Sequence, residues 1–180
     1  SAFIHQLVLI TRPHTSGETG FASGTSAVAA MSAEWPNATH YAIDPFQPAF
    51  ASHGLRAVRG LADAFPTSTP RFVHVNETAS FGLAWLARRS TCLDFFFMDD
   101  GHKFDDNLAE LYTVSKLLSI GGVLMLHDTW LPSVRKTMSF IRTNLRFLEP
   151  MNASAWGSHD LRVYVKRAPD RRGWKDFIDF

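Results

Sequence analysis

At 180 residues, 46% of them apolar and 13% aromatic, the chain has material for one ordinary domain with a full hydrophobic core, and two domains would be cramped. Eighteen basic against 17 acidic side chains leave a formal net charge of +1, so no global field recruits nucleic acid or an anionic membrane surface, and a small, locally recognised substrate is the default expectation. No run approaches the roughly 18 apolar residues that span a bilayer, Ser1 to Ile10 carries no charged start or cleavage signal, and the single cysteine, Cys92, excludes an internal disulfide; a soluble domain of the reducing cytoplasm is expected, with Cys92 a small buried thiol.

In chain order, the first strand is the hardest to place. It should lead directly into Glu18-Thr19-Gly20, yet Pro13-His14-Thr15-Ser16-Gly17 are turn formers, which leaves Gln6 to Thr11 as the candidate strand, or residues missing just before Glu18. A glycine-bearing segment then opens an Ala-rich helix through Ala33. His40 to Ile43, Arg71 to Val75, Leu93 to Met98 and Gly122 to His127 are predicted strands, and their near-continuous hydrophobicity fits a parallel sheet covered on both faces. Ser80 is the expected cap of a helix through Arg89. Leu108, Leu111, Tyr112, Ser115 and Leu118 keep one face of another helix, and Val134, Met138, Ile141 and Leu145 one face of a third. Leu161 to Lys166 is a late strand pairing near Phe147 to Glu149, and Arg167 to Lys175 is a basic tail. Alternation of strand and helix predicts βαβ units in a doubly wound α/β sheet, with the site at the strands' C-terminal ends. No repeat or linker divides the chain, so residues 1–180 are expected to form a single domain, with a motif core over 18–145 and a C-terminal strand region and tail over 146–180.

Three segments carry chemistry. In Glu18-Thr19-Gly20-Phe21-Ala22-Ser23-Gly24-Thr25-Ser26, Gly20 and Gly24 allow a tight turn and close approach to a ligand, and the helix start after Gly24 offers free N–H groups. The dinucleotide and phosphate-loop glycine patterns are both absent, which argues against nicotinamide cofactors and nucleoside triphosphates. Asp44 ends the next strand, where an acid can accept both hydroxyls of a ribose. Asp99-Asp100-Gly101-His102 and Gly121-Gly122 through His127-Asp128-Thr129 put ionisable groups where apolar strands emerge, which core packing does not require. The other histidines, His5, His14, His40, His53, His74 and His159, have no metal-ligand spacing and are assigned surface or satisfied core roles. Sequons at Asn37, Asn76 and Asn152 are treated as incidental, the cluster Arg135, Lys136, Arg142 and Arg146 as a solvated helix face, and no serine-hydrolase elbow occurs.

As an ordered set these motifs resemble the small-molecule O-methyltransferase-like branch of class I methyltransferases, and more narrowly methyltransferase domain family 24, from about Glu18 to Asn144. The resemblance implies a Rossmann-like fold with a mostly parallel sheet flanked by helices, and S-adenosylmethionine as cofactor. It implies that Glu18 and the Gly20, Phe21, Gly24, Thr25 and Ser26 loop hold the methionine part, Asp44 the ribose, and Ser80 the adenine side with Asn76 and Glu77 nearby, Asp99 also bordering the cofactor. In metal-dependent relatives the positions of Asp99, His127 and Asp128 bind a divalent cation such as magnesium or manganese. His127 stands where an acid is frequent, so the set suits manganese, iron or zinc, or no metal, as well. Transfer of the sulfonium methyl to a hydroxyl oxygen is the expected reaction, with His102 as base, its ordinary pKa near 6.5 suiting the task, and Asp99 beside it. A nucleoside-binding module without turnover, and a metal-dependent hydroxylase or hydrolase on the same scaffold, are the alternatives. The acceptor and the oligomeric state stay open.

Overall fold

The structure is a computed structural model and describes residues 2–151 and 160–180; Asn152 and His159 lie outside them. Its sheet is organised by β4 (Leu93–Met98), whose alternating side chains feed two cores. Phe95 and Phe97 pack with Phe3, Ile4, Leu7 and Val8 of α1 (Ala2–Thr11) and Ala29 and Ala30 of α2 (Thr25–Met31). Phe96 and Met98 point the other way, onto Leu83 and Leu86 of α4 (Ala79–Arg88), Leu111 and Val114 of α5 (Phe104–Leu117) and Ile141 of α6 (Pro132–Asn144). A strand covered on both faces has no use for polar alternation, which is why β4 is apolar almost throughout. A third cluster seats α3 (His53–Ala64) through Val58 against Phe21, Ala27, Met31 and Ala42.

The remaining strands are β1 (Thr15–Thr19), β2 (Thr39–Ile43), β3 (Arg71–Val75), β5 (Leu118–Leu126), β6 (Leu148–Pro150) and β7 (Arg162–Lys166). The order is β3-β2-β1-β4-β5-β7-β6, with β1 to β5 parallel and β7 antiparallel to both neighbours. This is the doubly wound, Rossmann-like α/β sheet expected. The strand order reverses between β1 and β4, and there the sheet opens a crevice at its C-terminal edge.

The first strand departs from expectation. Gln6 to Thr11 is the second half of a helix, its buried residues spaced by one, three and four as a helix face requires. The strand is instead the turn-former-rich Thr15–Thr19, which contains Glu18 and leads directly into Gly20. Its centre leaves no room for a side chain: a Cβ on Gly17 would meet the Phe96 ring and the Tyr41 carbonyl at 3.1 Å. Asp94 fixes its start by accepting the His14 and Thr15 amides at 3.0 and 3.1 Å.

Smaller corrections follow from packing. Leu118 begins β5 rather than ending a helix; the strand passes through Gly121 at φ 87, so its outer half hides from a hydrophobicity scan that starts at Gly122. Tyr112 is exposed, and α5 turns Asn107, Glu110, Leu111, Val114 and Ser115 inward instead. Ser80 lies in the first turn of α4, whose cap position is Thr78. Cys92, one residue short of buried Leu93, is exposed.

Candidate active site

Because β1 to β5 run parallel, Gly20, Asp44, Asn76, Asp99 and His127 all leave the sheet at one edge. Gly20 adopts φ 76, and a Cβ there would fall 2.0 Å from the Asp99 carbonyl oxygen, so its glycine is demanded by the backbone of β4's exit. Gly24 at φ 79 is similarly pressed, a Cβ there falling 2.8 Å from the Gly54 Cα. Both serve backbone packing first, and the loop they shape curves around a cavity of about 220 Å³ lined by Gly20 to Ser23, Thr25, Ser26, Phe97, Asp99 and His127, with Ile4 and Leu161 at its side. Phe21 contributes to that lining, but its ring is buried against Phe72 and His74.

Glu18 lies beneath this loop, 1% exposed. Burial pushes its carboxyl up to about 7, against the charge of His40 and a hydrogen bond with Ser26, which lower it, and with the charges of Asp99 and Glu34, which raise it. Its Oε1 has no hydrogen-bond partner among the described residues. Asp44 is also buried and accepts from the Ala22 amide (2.7 Å), the Phe46 amide (2.6 Å) and Gln47 Nε2 (3.0 Å). It therefore ties the β2 exit to the glycine loop, so its removal strands two amides as well as whatever ligand it holds. Across the Gly20 crest a second cavity, about 340 Å³, is lined by Phe46, Thr78, Ala79, Ser80, Asp100, Gly101, Asp106 and Glu110. Burial first, then the charges of Asp44 and Asp106, raise the Asp100 carboxyl above its ordinary value, against the Gly101 amide and His102.

The predicted acid and histidine motifs converge at the ends of β4 and β5. The His127 amide donates to the Met98 carbonyl at 3.1 Å, which sets the two exits side by side. His127 Nδ1 lies 2.8 Å from Asp99 Oδ1 and 3.4 Å from Asp128 Oδ1, a proximity of charges off the axis of a linear hydrogen bond. The Asp99 carboxylate, chiefly, raises the imidazole's pKa. Asp128, held at φ 50, turns to meet His102 Nε2 in a short contact and accepts from Trp130 Nε1 at 3.1 Å. Burial alone would raise Asp128, but His102, His127 and Trp130 bring it below the ordinary carboxylate value. Donor atoms of Asp99, His102 and Asp128 fall within 4.8 Å of one another. Of the predicted metal set, Asp99 and Asp128 thus stand in one cluster with His102, and His127 Nδ1 lies against Asp99 and Asp128 beside it.

Sequence reasoning missed two groups. Glu110, 3% exposed beneath the second cavity, accepts from the Thr19 hydroxyl, and burial lifts its carboxyl to about 8. Its signal was available, because it shares the inward face of α5 with Leu111 and Val114. His40 has the core role expected, but with Ser16 and Glu34 as partners, and nothing in the sequence spacing announces that grouping.

The family model described as a methyltransferase domain, family 24, matches residues 18–129, and the chain belongs to that family. It is an S-adenosylmethionine-dependent methyltransferase of the Rossmann-like class. Among solved structures, the chain is similar to the O-methyltransferase TomG from Streptomyces achromogenes, involved in tomaymycin synthesis and bound to S-adenosylmethionine (18% identity, TM-score 0.70, 93% of this chain and 79% of that one). It is likewise similar to an O-methyltransferase from Bacillus cereus bound to S-adenosylhomocysteine (16%, 0.70, 92% and 80%) and to the S-adenosylhomocysteine-bound Podospora anserina methyltransferase PaMTH1 (14%, 0.70, 92% and 77%). No curated protein matches the sequence. Among the described residues no helix is long and apolar enough to cross a membrane.

Proposed function

We propose that this methyltransferase acts on a hydroxyl oxygen of a small molecule, with His102 taking the hydroxyl proton and Asp128 holding the imidazole. The observation that carries the reading is the His102 and Asp128 pair, clustered with Asp99, which itself lines the glycine-loop cavity: the histidine side chain is 40% exposed, open to an acceptor, while its partner is fixed by Trp130. A positioned imidazole suits a hydroxyl, whose proton must leave as the oxygen attacks.

The residues fit S-adenosylmethionine on two observations. Glu18 Oε1 is a buried acceptor without a donor, next to Ser26 of the cavity lining, as an amino group would require. Two cavities also flank the Gly20 crest, one beside the loop and one beside Ser80. Glu18 with the Gly20 to Ser26 loop would hold the methionine part, Asp44 the ribose, and Ser80 the adenine side. When bound, the cofactor supplies an electrophilic methyl group, and the chain's own task is to hold donor and acceptor in line and to remove one proton. Asp99, Asp106 and Asp128, with Asp100 beside them, make the edge acidic, which disfavours a phosphate backbone and favours a small neutral or cationic acceptor over nucleic acid.

A second reading is favoured by the spacing of Asp99, His102 and Asp128. A manganese or magnesium ion held there would lower the pKa of the acceptor hydroxyl. Transfer of labelled methyl groups to a panel of hydroxylated acceptors, before and after exhaustive chelation, separates the two. Activity that survives chelation and collapses in His102→Ala supports the histidine base. Activity lost on chelation and restored by manganese or magnesium supports the ion, and transfer only to amines or thiols sinks the hydroxyl assignment.

A further inference from the structure

The sheet face that carries Glu18 also carries Ser16 two residues earlier and, in register with Ser16 on β2, His40. Glu34, just beyond α2, covers them. Ser16 is 0% exposed, His40 0% and Glu34 7%, so this serine, histidine and acid cannot meet a substrate, and a nucleophilic role is excluded. Their hydrogen bonds fix protons instead. The Ser16 hydroxyl donates its one hydrogen to Glu34 Oε1 at 2.5 Å, so in its 2.7 Å contact with His40 Nδ1 it must accept. Nδ1 therefore carries a proton, directed also at Glu34 Oε1 at 3.1 Å. That leaves His40 Nε2, buried and without a hydrogen-bond partner, while the unpartnered side-chain atoms of its two acidic neighbours on this face are carboxylate oxygens, Glu18 Oε1 and Glu34 Oε2. As a lone pair, Nε2 would add one more acceptor to a buried group whose other unpartnered atoms are acceptors; as an N–H it completes an imidazolium whose charge opposes those of Glu34 and Glu18.

We infer that His40 is a positioning residue for the cofactor: it is a buried imidazolium whose charge keeps the Glu18 carboxylate ionised to receive the amino group of S-adenosylmethionine. This rests on the reading that Glu18 faces that amino group. Burial acts to lower His40, but the charge and hydrogen bond of Glu34, with the charge of Glu18, outweigh it and raise the imidazole's pKa. The groups facing Glu18 are His40 from β2, Glu34 beyond α2, Ser26 of α2 and Asp99 beyond β4; His40 is the cation among them, and β3 contributes the stacked Phe72 ring. Without His40, two carboxylates and a third nearby would share a dry face uncompensated, and Glu18 would take up a proton. Glu18 titrates at about 7 with its counter-charge in place, so cofactor affinity should rise as pH passes through neutrality.

The test is the dissociation constant of S-adenosylhomocysteine, by titration calorimetry between pH 5.5 and 8.5, for the full chain and for His40→Gln and Glu18→Gln. In His40→Gln the midpoint of the affinity rise should move up by about 1–3 pH units, with on the order of tenfold weaker binding at pH 7 that narrows toward pH 8.5. Glu18→Gln should bind weakly at every pH. Nitrogen-15 chemical shifts of His40 in the unsubstituted protein give a reading that does not depend on any variant folding, and both ring nitrogens should be protonated at pH 7.5. If Glu18→Gln binds like the parent, the cofactor assignment of Glu18 fails. If Glu18→Gln is impaired while His40→Gln keeps the parental pH profile, or if His40 is neutral by its nitrogen shifts, the inference about His40 is overturned by itself.

Discussion

Glu18 and Glu110 are buried on opposite sides of the end of β1, and burial lifts both carboxyls, to about 7 and about 8. Their neighbours differ in kind. Glu18 shares its face with the cation His40, and Ser26 of the cavity lining is its hydrogen-bond partner. Glu110 reaches in from α5 to a neutral hydroxyl, that of Thr19, and faces the like charges of Asp100, Asp99 and Asp106. A counter-charge lets a buried acid ionise near neutral pH, whereas a hydroxyl among other acids leaves it protonated there. One strand end thus separates an acid suited to hold a cation from an acid suited to be a neutral hydrogen-bonding prop.

The largest effect that could break this contrast is on stability at high pH. A carboxyl whose folded pKa is raised from 4.5 to about 8 contributes stability that is complete below about 4.5 and is lost as pH rises through 8. Three units or so correspond to roughly 3–5 kcal/mol. Glu110→Gln should therefore match the parent at pH 4.5 and melt on the order of 10 °C higher at pH 9, as followed by circular dichroism. Parallel pH curves for the two proteins would mean that Glu110 ionises freely in the folded state.

Glu18→Gln should show the same stabilisation in weaker form, because about 7 lies nearer the ordinary carboxyl value, and should do so at a cost in binding. Losing a charged acceptor weakens S-adenosylmethionine roughly 10- to 150-fold. Calorimetric titration of Glu18→Gln and Glu110→Gln side by side checks the asymmetry: an equal loss in both would erase the distinction between the two faces.

How much of this was legible beforehand differs by element. The nearly all-apolar β4, the helix stripe Val134, Met138, Ile141 and Leu145, and the acid and histidine motifs at two strand ends could be read because their signals are local in sequence. The first strand could not, because Gly17 is small for a reason that lies in Phe96, some 80 residues away, while Ser16 and the Thr15 amide are held by Glu34, His40 and Asp94, and local propensity gave way to those contacts. Likewise the contact of His102 with Asp128, beside the His127 and Asp99 pair, goes with the left-handed backbone at Asp128, whose carboxylate meets the residue before the α5 entry. The grouping of Ser16, Glu34 and His40 needs strand register, which no spacing rule supplies.

The finest test of the comparison removes one hydroxyl from each face. Thr19→Val deletes the donor to Glu110 while keeping volume, and Ser26→Ala deletes the hydrogen-bond partner of Glu18. Each bond favours the ionised acid, so each loss pushes its carboxyl further up. On the Glu110 side the acid is already protonated at neutral pH. Thr19→Val should thus cost only the ordinary value of one hydrogen bond, about 0.5–1.5 kcal/mol of stability, with S-adenosylmethionine affinity at pH 7 unchanged. On the Glu18 side the acid sits at the midpoint of its titration, where a small upward push converts directly into lost carboxylate. Ser26→Ala should therefore weaken binding several-fold at pH 7, beyond whatever contact Ser26 itself makes, and recover part of that loss by pH 8.5, while melting close to the parent. Binding that falls in Thr19→Val, or a Ser26→Ala deficit that is the same at pH 7 and 8.5, would mean that the two faces do not divide the work of holding charge and holding structure in this way.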